Sequence, residues 1–375
     1  MKLVKWLRDG WLILGVTLLL LLIVDAGLKS VVPQPGTAPV SPGATAPDRE
    51  QAPALEDAPW IADYFDELHQ ARRTVWSSWE YWRRVPFAGD YINVNAEGIR
   101  SSWTPPAPEW VIWLLGGSTV WGTGARDDAT LPSALARALQ AQGIAARVIN
   151  LGESGYVSGQ AQVRFLRRLE QHPAPDLVVF YGGVNDVYAA FQAGRPGVSQ
   201  NEAHRQADFR ATDGLDNWLQ AAPAVLEGVS RLRGALQPAT QPDPTELGAQ
   251  VARIYAHRVS ASRAVAESAE TPSLFFWQPT VFSRTSRPPS EEAIAGASAA
   301  RHAALQAAAD ESVRQVMMGA PGFSDLSGVF NKIQEPLFLD FCHLSERGNA
   351  LVAQAMLPQV IEALAPPLDH DSVSR

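Results

Sequence analysis

Five residues of this chain could together carry out acyl transfer: Ser118, Gly155, Asn185, Asp340 and His343. A serine hydroxyl is a weak nucleophile until a base takes its proton. Histidine is that base when a carboxylate holds its other ring nitrogen and so fixes the tautomer. Asp340 precedes His343 by three residues and can serve this purpose. The alternative for Asp340 is a cap on the helix that follows, though Ser345 is better placed for capping. The negative oxygen of a tetrahedral intermediate needs preorganised donors. The Ser118 N–H, the Gly155 N–H and the Asn185 amide are the candidates. Gly117, Trp121 and Gln278 are the candidate substrate contacts. Each feature also has a plainer reading: a Gly-rich turn after a core strand for Gly117-Ser118, and a turn residue for Asn185. His69, His172, His204, His257, His302 and His370 stand in helical, loop or tail contexts and read as solvated or packing residues. Cys342, the single cysteine, reads as a buried packing residue.

The elements that must position these residues can be read from the apolar pattern. Residues 111–115 form a large apolar run that stops at Gly116-Gly117-Ser118, as a buried parallel strand does. Further strands are expected at 146–151, 176–181 and 273–277, and a short one at 327–330. Helices are expected at 61–68, 71–82, 130–142, from Ser158, at 291–316 and at 346–364, with a largely helical insertion at about 189–269. The middle of that insertion, 200–214, is polar and reads as a loop. Strands alternating with helices give an α/β fold, a parallel sheet covered on both faces. The first four expected strands each end in a candidate site loop: Gly117-Ser118, Gly152-Glu153-Ser154-Gly155, Gly182-Gly183-Val184-Asn185-Asp186, and Gln278-Pro279. Open sheets of this kind bind ligands at the carboxyl ends of their strands, so the loops converge on one pocket.

These blocks resemble the SGNH, or GDSL-type, hydrolase superfamily. Gly116-Gly117-Ser118 is similar to its serine block, with Gly in place of the usual Asp. Asn150-Leu151-Gly152-Glu153-Ser154-Gly155 resembles its glycine block, Gly183-Val184-Asn185-Asp186 its Gly-x-Asn-Asp block, and Asp340 with His343 its Asp-x-x-His block. The resemblance covers about residues 109–366. It implies a flavodoxin-like, three-layer α/β/α sandwich and an ester hydrolase that needs neither cofactor nor metal. Asn95-Ala96-Glu97-Gly98-Ile99-Arg100 is similar to a segment that precedes the serine block in membrane-anchored bacterial members.

The remainder of the chain argues for export. Lys2, Lys5 and Arg8 lie in a tail of residues 1–9, before an apolar stretch at 10–28 that Asp25 interrupts. This reads as a single-pass transmembrane anchor of the bacterial cytoplasmic membrane, with the basic cluster inside and the catalytic domain in the periplasm. The alternative is a cleaved signal peptide, with Val24-Asp25-Ala26 as a mediocre cleavage site. Residues 29–58 are rich in Pro and Ala and read as a disordered linker, and 367–375 as a disordered tail. Between them, 59–108 is a Trp-rich accessory segment: Trp60, Trp76, Trp79, Trp82 and Trp103, followed by Trp110 and Trp113, make seven of the chain's twelve tryptophans. They read as packing onto the main domain, or else as an aromatic platform for sugar rings.

Several functions are disfavoured. The net charge of −8 argues against nucleic acid. Gly117 to Gly122 has P-loop spacing, but Thr123-Gly124 stands where Lys-Ser/Thr is needed. There is no Gly-x-Ser-x-Gly elbow and no His-Glu-x-x-His motif. Asp369-His370-Asp371 is only superficially a metal cluster. The expectation is an exported serine esterase acting on acyl groups of a surface polysaccharide or related envelope substrate. The alternatives are an O-acyltransferase using the same triad, with a sugar hydroxyl in place of water, and a non-catalytic glycan-binding module.

Overall fold

The computed structural model describes residues 10–20, 23, 49–56, 58–206 and 242–365. These belong to two units, Met1–Ser41 with Asn201–Pro242, and Pro42–Gln200 with Asp243–Arg375. In the first, residues 10–20 are helical with exposed apolar side chains, and 202–206 form a short helical turn. Among the described residues no helix is long and apolar enough to cross a membrane. The expected basic tail, the rest of the anchor, most of the linker, residues 207–241 of the insertion and the tail after 365 lie outside the described residues.

The second unit is built on five parallel strands, β5 (Trp110–Gly116), β6 (Ala146–Gly152), β7 (Leu177–Gly182), β8 (Ser273–Trp277) and β9 (Phe323–Asp325), in the order β6-β5-β7-β8-β9. Numbered along the sheet this is 2-1-3-4-5. The switch point of such a sheet, where chain direction reverses outward, falls between β5 and β7. Alternate side chains of the strands feed two cores. Ile112, Leu114, Val179 and Phe276 pack under α3 (Leu131–Gln140) and α9 (Glu346–Leu364). Trp113, Leu115, Phe180 and Phe275 pack under α4 (Ser158–Gln171), α5 (Val184–Ala193), α6 (Pro244–Ser268) and α8 (Ala300–Val316). The sheet is therefore apolar on both faces, as its unbroken hydrophobic strands require.

Four local expectations are corrected. Residues 71–82 do not continue α1 (Ile61–Ala71) as a helix; they form a hairpin, β1 (Thr74–Ser77) with β2 (Tyr81–Arg84). Thr74, Val75, Trp76, Tyr81 and Trp82 are β-branched or aromatic, and cross-strand pairing wins over the helical periodicity. The segment 291–316 is two helices, α7 (Pro289–Ala297) and α8, broken at Ser298-Ala299. The last strand is β9, earlier than 327–330, because Phe323, Ser324 and Asp325 are the residues in register with Phe275, Phe276 and Trp277. The end of the expected linker is packed: Ala52 and Leu55 are buried against Tyr64, Phe65, Trp121 and Leu339. A short hairpin, β3 (Phe87–Ala88) with β4 (Asn93–Val94), completes this preface.

The tryptophans divide. Trp113 is buried, and Trp60, Trp82, Trp103 and Trp110 are partly buried, as the packing reading expects. Trp76 and Trp79, on the hairpin, are 70% and 78% exposed and join no core among the described residues.

Candidate active site

Ser118 opens α2 (Ser118–Trp121) directly after β5. Its N–H, at the first helical position, has no partner within the helix. His343 reaches it from the loop before α9: His343 Nε2 is 2.7 Å from Ser118 Oγ, and His343 Nδ1 is 2.6 Å from Asp340 Oδ2. A carboxylate only accepts, so Nδ1 carries the proton and Nε2 is left to accept from the serine hydroxyl. Asp340 Oδ1 accepts from the backbone N–H groups of Cys342 and His343, at 2.9 and 2.8 Å. The Asp340 side chain is fully buried. Burial works against its charge, but His343, Arg49 and the backbone donors outweigh it and hold the carboxyl well below the usual carboxylate range.

Arg49 was not legible as a site residue. Its Nε donates to Asp340 Oδ2 at 2.8 Å, and a second guanidinium nitrogen lies 2.6 Å from the same oxygen. The oxygen that holds the imidazole is thus also held by a cation from the preface, 291 positions away in sequence. Asp340, Cys342 and His343 place an oxygen, a sulfur and a nitrogen within 4.8 Å of one another. Asp340 Oδ2 is already shared by ring and guanidinium. Burial, then the Asp340 charge, pushes the Cys342 thiol well above its ordinary value. The group is therefore a hydrogen-bonded relay beside a protonated thiol, and its donor set does not favour a metal.

Of the three expected oxyanion donors, Ser118 and the Asn185 amide adjoin Gly117, and Gly155 precedes Tyr156, whose carbonyl oxygen lies 3.4 Å from where a Cβ on Gly117 would stand. A Cβ there would lie 2.2 Å from Asn185 Nδ2, so only glycine lets the amide approach the serine turn. Asn185 Nδ2 donates to Tyr156 O at 2.8 Å, and Asn185 Oδ1 accepts from Gln200 at 2.9 Å. The amide orientation is fixed by these two bonds, and among the described residues one N–H stays without a partner. Gly155 has φ 78°, and a Cβ on it would stand 2.9 Å from Gln200 Oε1. Gln200 thereby touches both loops. Ser118, Asn185 and His343 are only 7–8% exposed, so the site opens narrowly.

Two ion pairs and an arginine bound to backbone carbonyls brace these loops. Asp186 accepts from Ser158 N at 2.9 Å, from Ser158 Oγ at 2.5 Å and from Arg258 at 3.0 Å, tying the starts of α4 and α5 to α6. Glu153 accepts from the Arg84 backbone and guanidinium at 2.9 and 3.1 Å. Arg100, the last residue of the segment before the serine block, donates to the carbonyls of Trp121, Gly122 and Ala125. It closes the carboxyl end of the serine helix, which is the physical use of that segment.

Two of the expected substrate contacts are buried side chains. Trp121 is fully buried, lying between the Arg84 and Arg100 guanidiniums at 4.7 and 4.4 Å. Its ring points away from the mouth because the helix turns it into the preface. Gln278 is 2% exposed, and its Oε1 accepts from Thr119 at 3.4 Å; it lies beneath the serine helix. Gly117 remains at the site, as the place where Asn185 enters. His302 is buried among Tyr188, Phe191, Phe282 and Phe341, with neither ring nitrogen bonded among the described residues. Burial pushes it down to about 4, so it is a neutral packing residue.

Residues 114–351 match the model of the GDSL-like Lipase/Acylhydrolase family. The chain belongs to this family. As a GDSL-like acylhydrolase it is an enzyme of ester hydrolysis. No curated protein sequence matches it. Among solved structures it is similar to an acetyl xylan esterase, at 16% identity over 67% of this chain and 99% of that one, with a TM-score of 0.41. A catalytic mutant of an acetylxylan esterase from Geobacillus stearothermophilus gives 16%, 68%, 95% and 0.37. The psychrotrophic esterase EstA from Pseudoalteromonas sp., inhibited by monoethylphosphonate, gives 14%, 68%, 99% and 0.36.

Proposed function

We propose that this acylhydrolase is a serine esterase in which Ser118 is the nucleophile, His343 the general base and acid, and Asp340 the group that orients the imidazole. The observation that carries the reading is the unbroken hydrogen-bonded line from Ser118 Oγ through His343 to Asp340. In the first half-reaction His343 Nε2 takes the hydroxyl proton as Ser118 Oγ attacks the acyl carbon. The carbonyl oxygen becomes an oxyanion held by the Ser118 N–H, the Gly155 N–H and the free N–H of Asn185. Collapse breaks the ester bond, and the imidazolium returns its proton to the departing alcohol. Water then attacks the acyl-serine with the same base, releasing the acid and restoring Ser118.

The proposed substrate is an acyl ester on a surface polysaccharide or related envelope polymer, met outside the cytoplasmic membrane. Lys2, Lys5 and Arg8 ahead of the apolar residues 10–28 support an anchored, periplasmic placement. The test is turnover of acetyl, butyryl and long-chain chromogenic esters by the full chain, with and without a sugar acceptor. Hydrolysis abolished by Ser118→Ala is the expected result. Ester turnover that persists in folded Ser118→Ala overturns the serine mechanism. Turnover that is slow in water and rises sharply with the acceptor replaces the hydrolase by a transferase.

A further inference from the structure

The hairpin β1–β2 presents two indoles, Trp76 and Trp79, that are more than two-thirds exposed. Trp79 has φ 71° and Tyr81 φ 74°. Aromatic side chains rarely adopt this region, and such strain gathers where a surface is held for use. The hairpin is pinned to the glycine-block loop. Trp82 Nε1 donates to Ser154 O at 3.0 Å, the Tyr156 hydroxyl donates to Trp82 O, and Gln160 Nε2 donates to Glu80 O at 2.7 Å. Its rings form a continuous line inward: Trp76 to Tyr81 at 5.9 Å, Tyr81 to Trp82 at 6.5 Å, and Trp82 to Tyr156 at 5.4 Å. Tyr156 is the residue whose carbonyl holds Asn185. The exposed indoles are thus built on the loop that carries the Gly155 N–H.

Beside the hairpin lies a polar cavity of about 220 Å³, lined by residues that include Ser77, Arg83, Glu97, Arg167, Arg168 and Gln171. Arg164 pairs with Glu80 at 3.6 Å and Arg168 with Glu97 at 3.1 Å. Arg83 and Arg167 donate only to backbone carbonyls, and among the described residues neither pairs with a carboxylate. Two guanidiniums with no carboxylate partner among the described residues thus line the cavity, Arg83 from the hairpin strand paired with Val75 and Arg167 through its bond to the Ser78 carbonyl, in a chain whose net charge is −8. We infer that this face binds an acidic polysaccharide. The indoles take the C–H faces of pyranose rings, and Arg83 and Arg167 take carboxylates along the chain. This rests on the reading of the site as an esterase of polysaccharide acyl groups, and it names that polymer as anionic.

The test uses the full chain in detergent, in the Ser118→Ala form, with polygalacturonate and dextran as probes in affinity electrophoresis. Polygalacturonate binds in preference to dextran, and binding weakens as salt rises. Trp76→Ala with Trp79→Ala weakens binding at least about tenfold, as loss of aromatic anchors does, whereas the two phenylalanine replacements retain it. Arg83→Gln with Arg167→Gln removes the preference for the acidic polymer. Unchanged affinity in the double alanine variant overturns the inference. So does a preference that survives the loss of both arginines. If the alanine variant loses only its attachment to phosphatidylglycerol vesicles and keeps polymer binding, the face is a membrane contact and the inference falls. Turnover of chromogenic esters by the wild type is measured separately: its absence, with polymer binding intact, removes the esterase reading and leaves the platform.

Discussion

At the scale of single residues, the site depends on small allowances. Gly117 has no side chain because Asn185 Nδ2 occupies that space. Gly117→Ala displaces the amide and lowers kcat by roughly 100-fold, close to the cost of removing one oxyanion donor. KM changes little, since that bond strengthens only as charge develops. Asn185→Ala has a similar effect, and steady-state kinetics of the double variant show that the two losses do not add. Arg49 makes a different prediction. Guanidinium and imidazole share Asp340 Oδ2, so the guanidinium helps to hold the carboxylate that orients the ring. Arg49→Gln lowers kcat on activated esters with little change in KM, and Arg49→Lys restores part of the loss. Steady-state kinetics that are unchanged in Arg49→Gln contradict this positioning role. The proposed reacting residues stand out in the sequence because chemistry constrains their types and the strand ends constrain their order, and Ser118, His343 and Asp340 lie within hydrogen-bond distance of one another in turn. Arg49 and Gln200 do not stand out in this way. A contact 291 positions long leaves no periodic or spacing signal, and a glutamine in a polar stretch looks like any solvated residue.

At the scale of elements, the first four strands of the parallel sheet and the last helix were legible, and β9 and the hairpin of the preface were not. β8 and α9 coincide with the expected bounds because each is set by strong local signals: a run of large apolar residues, and Ser345, whose hydroxyl accepts from Gly348 N as the helix cap. The hairpin at 74–84 was misjudged because its tryptophans fit a helical stripe as well as a strand. Only pairing and the bonds to residues 153–160 decide between them. One contact between elements gives a pH-dependent prediction. Trp277 Nε1 on β8 donates to Asp310 on α8 at 2.9 Å, and burial pushes the Asp310 carboxyl up to about 6. The native state therefore holds this proton between about pH 4 and 6, while the unfolded chain has released it. Stability falls as pH rises through that window and stays low above it. Asp310→Asn keeps the acceptor for Trp277 and carries no charge. It stabilises the protein above pH 6 by roughly 2–3 kcal/mol, from about 1.4 kcal/mol per pKa unit, and has no effect at pH 4. Thermal melts of both proteins at pH 4 and 8 measure the difference.

For the whole molecule, a doubly wound sheet brings distant loops to one switch point, and the preface is fastened over it by Arg49, Arg84 and Arg100. The preface is therefore part of the catalytic unit, although its residues carry no reacting group. A fragment beginning at residue 58 lacks Arg49, Ala52 and Leu55. It is expected to turn over activated esters more slowly than a fragment that retains residues 49–57, with kcat lowered at least as far as in Arg49→Gln. A reporter fused after Arg375 is expected to work only outside the cytoplasm; a fusion active only inside it contradicts the proposed orientation. The central claim is that Ser118 is activated by His343, and covalent labelling tests it most directly. A fluorophosphonate probe should add to the wild-type chain at one site, found by peptide mass spectrometry at Ser118. Labelling should vanish in Ser118→Ala and fall steeply in folded His343→Ala. A wild-type protein that hydrolyses esters while Ser118 stays unlabelled, or a Ser118→Ala protein labelled as strongly as wild type, contradicts the account.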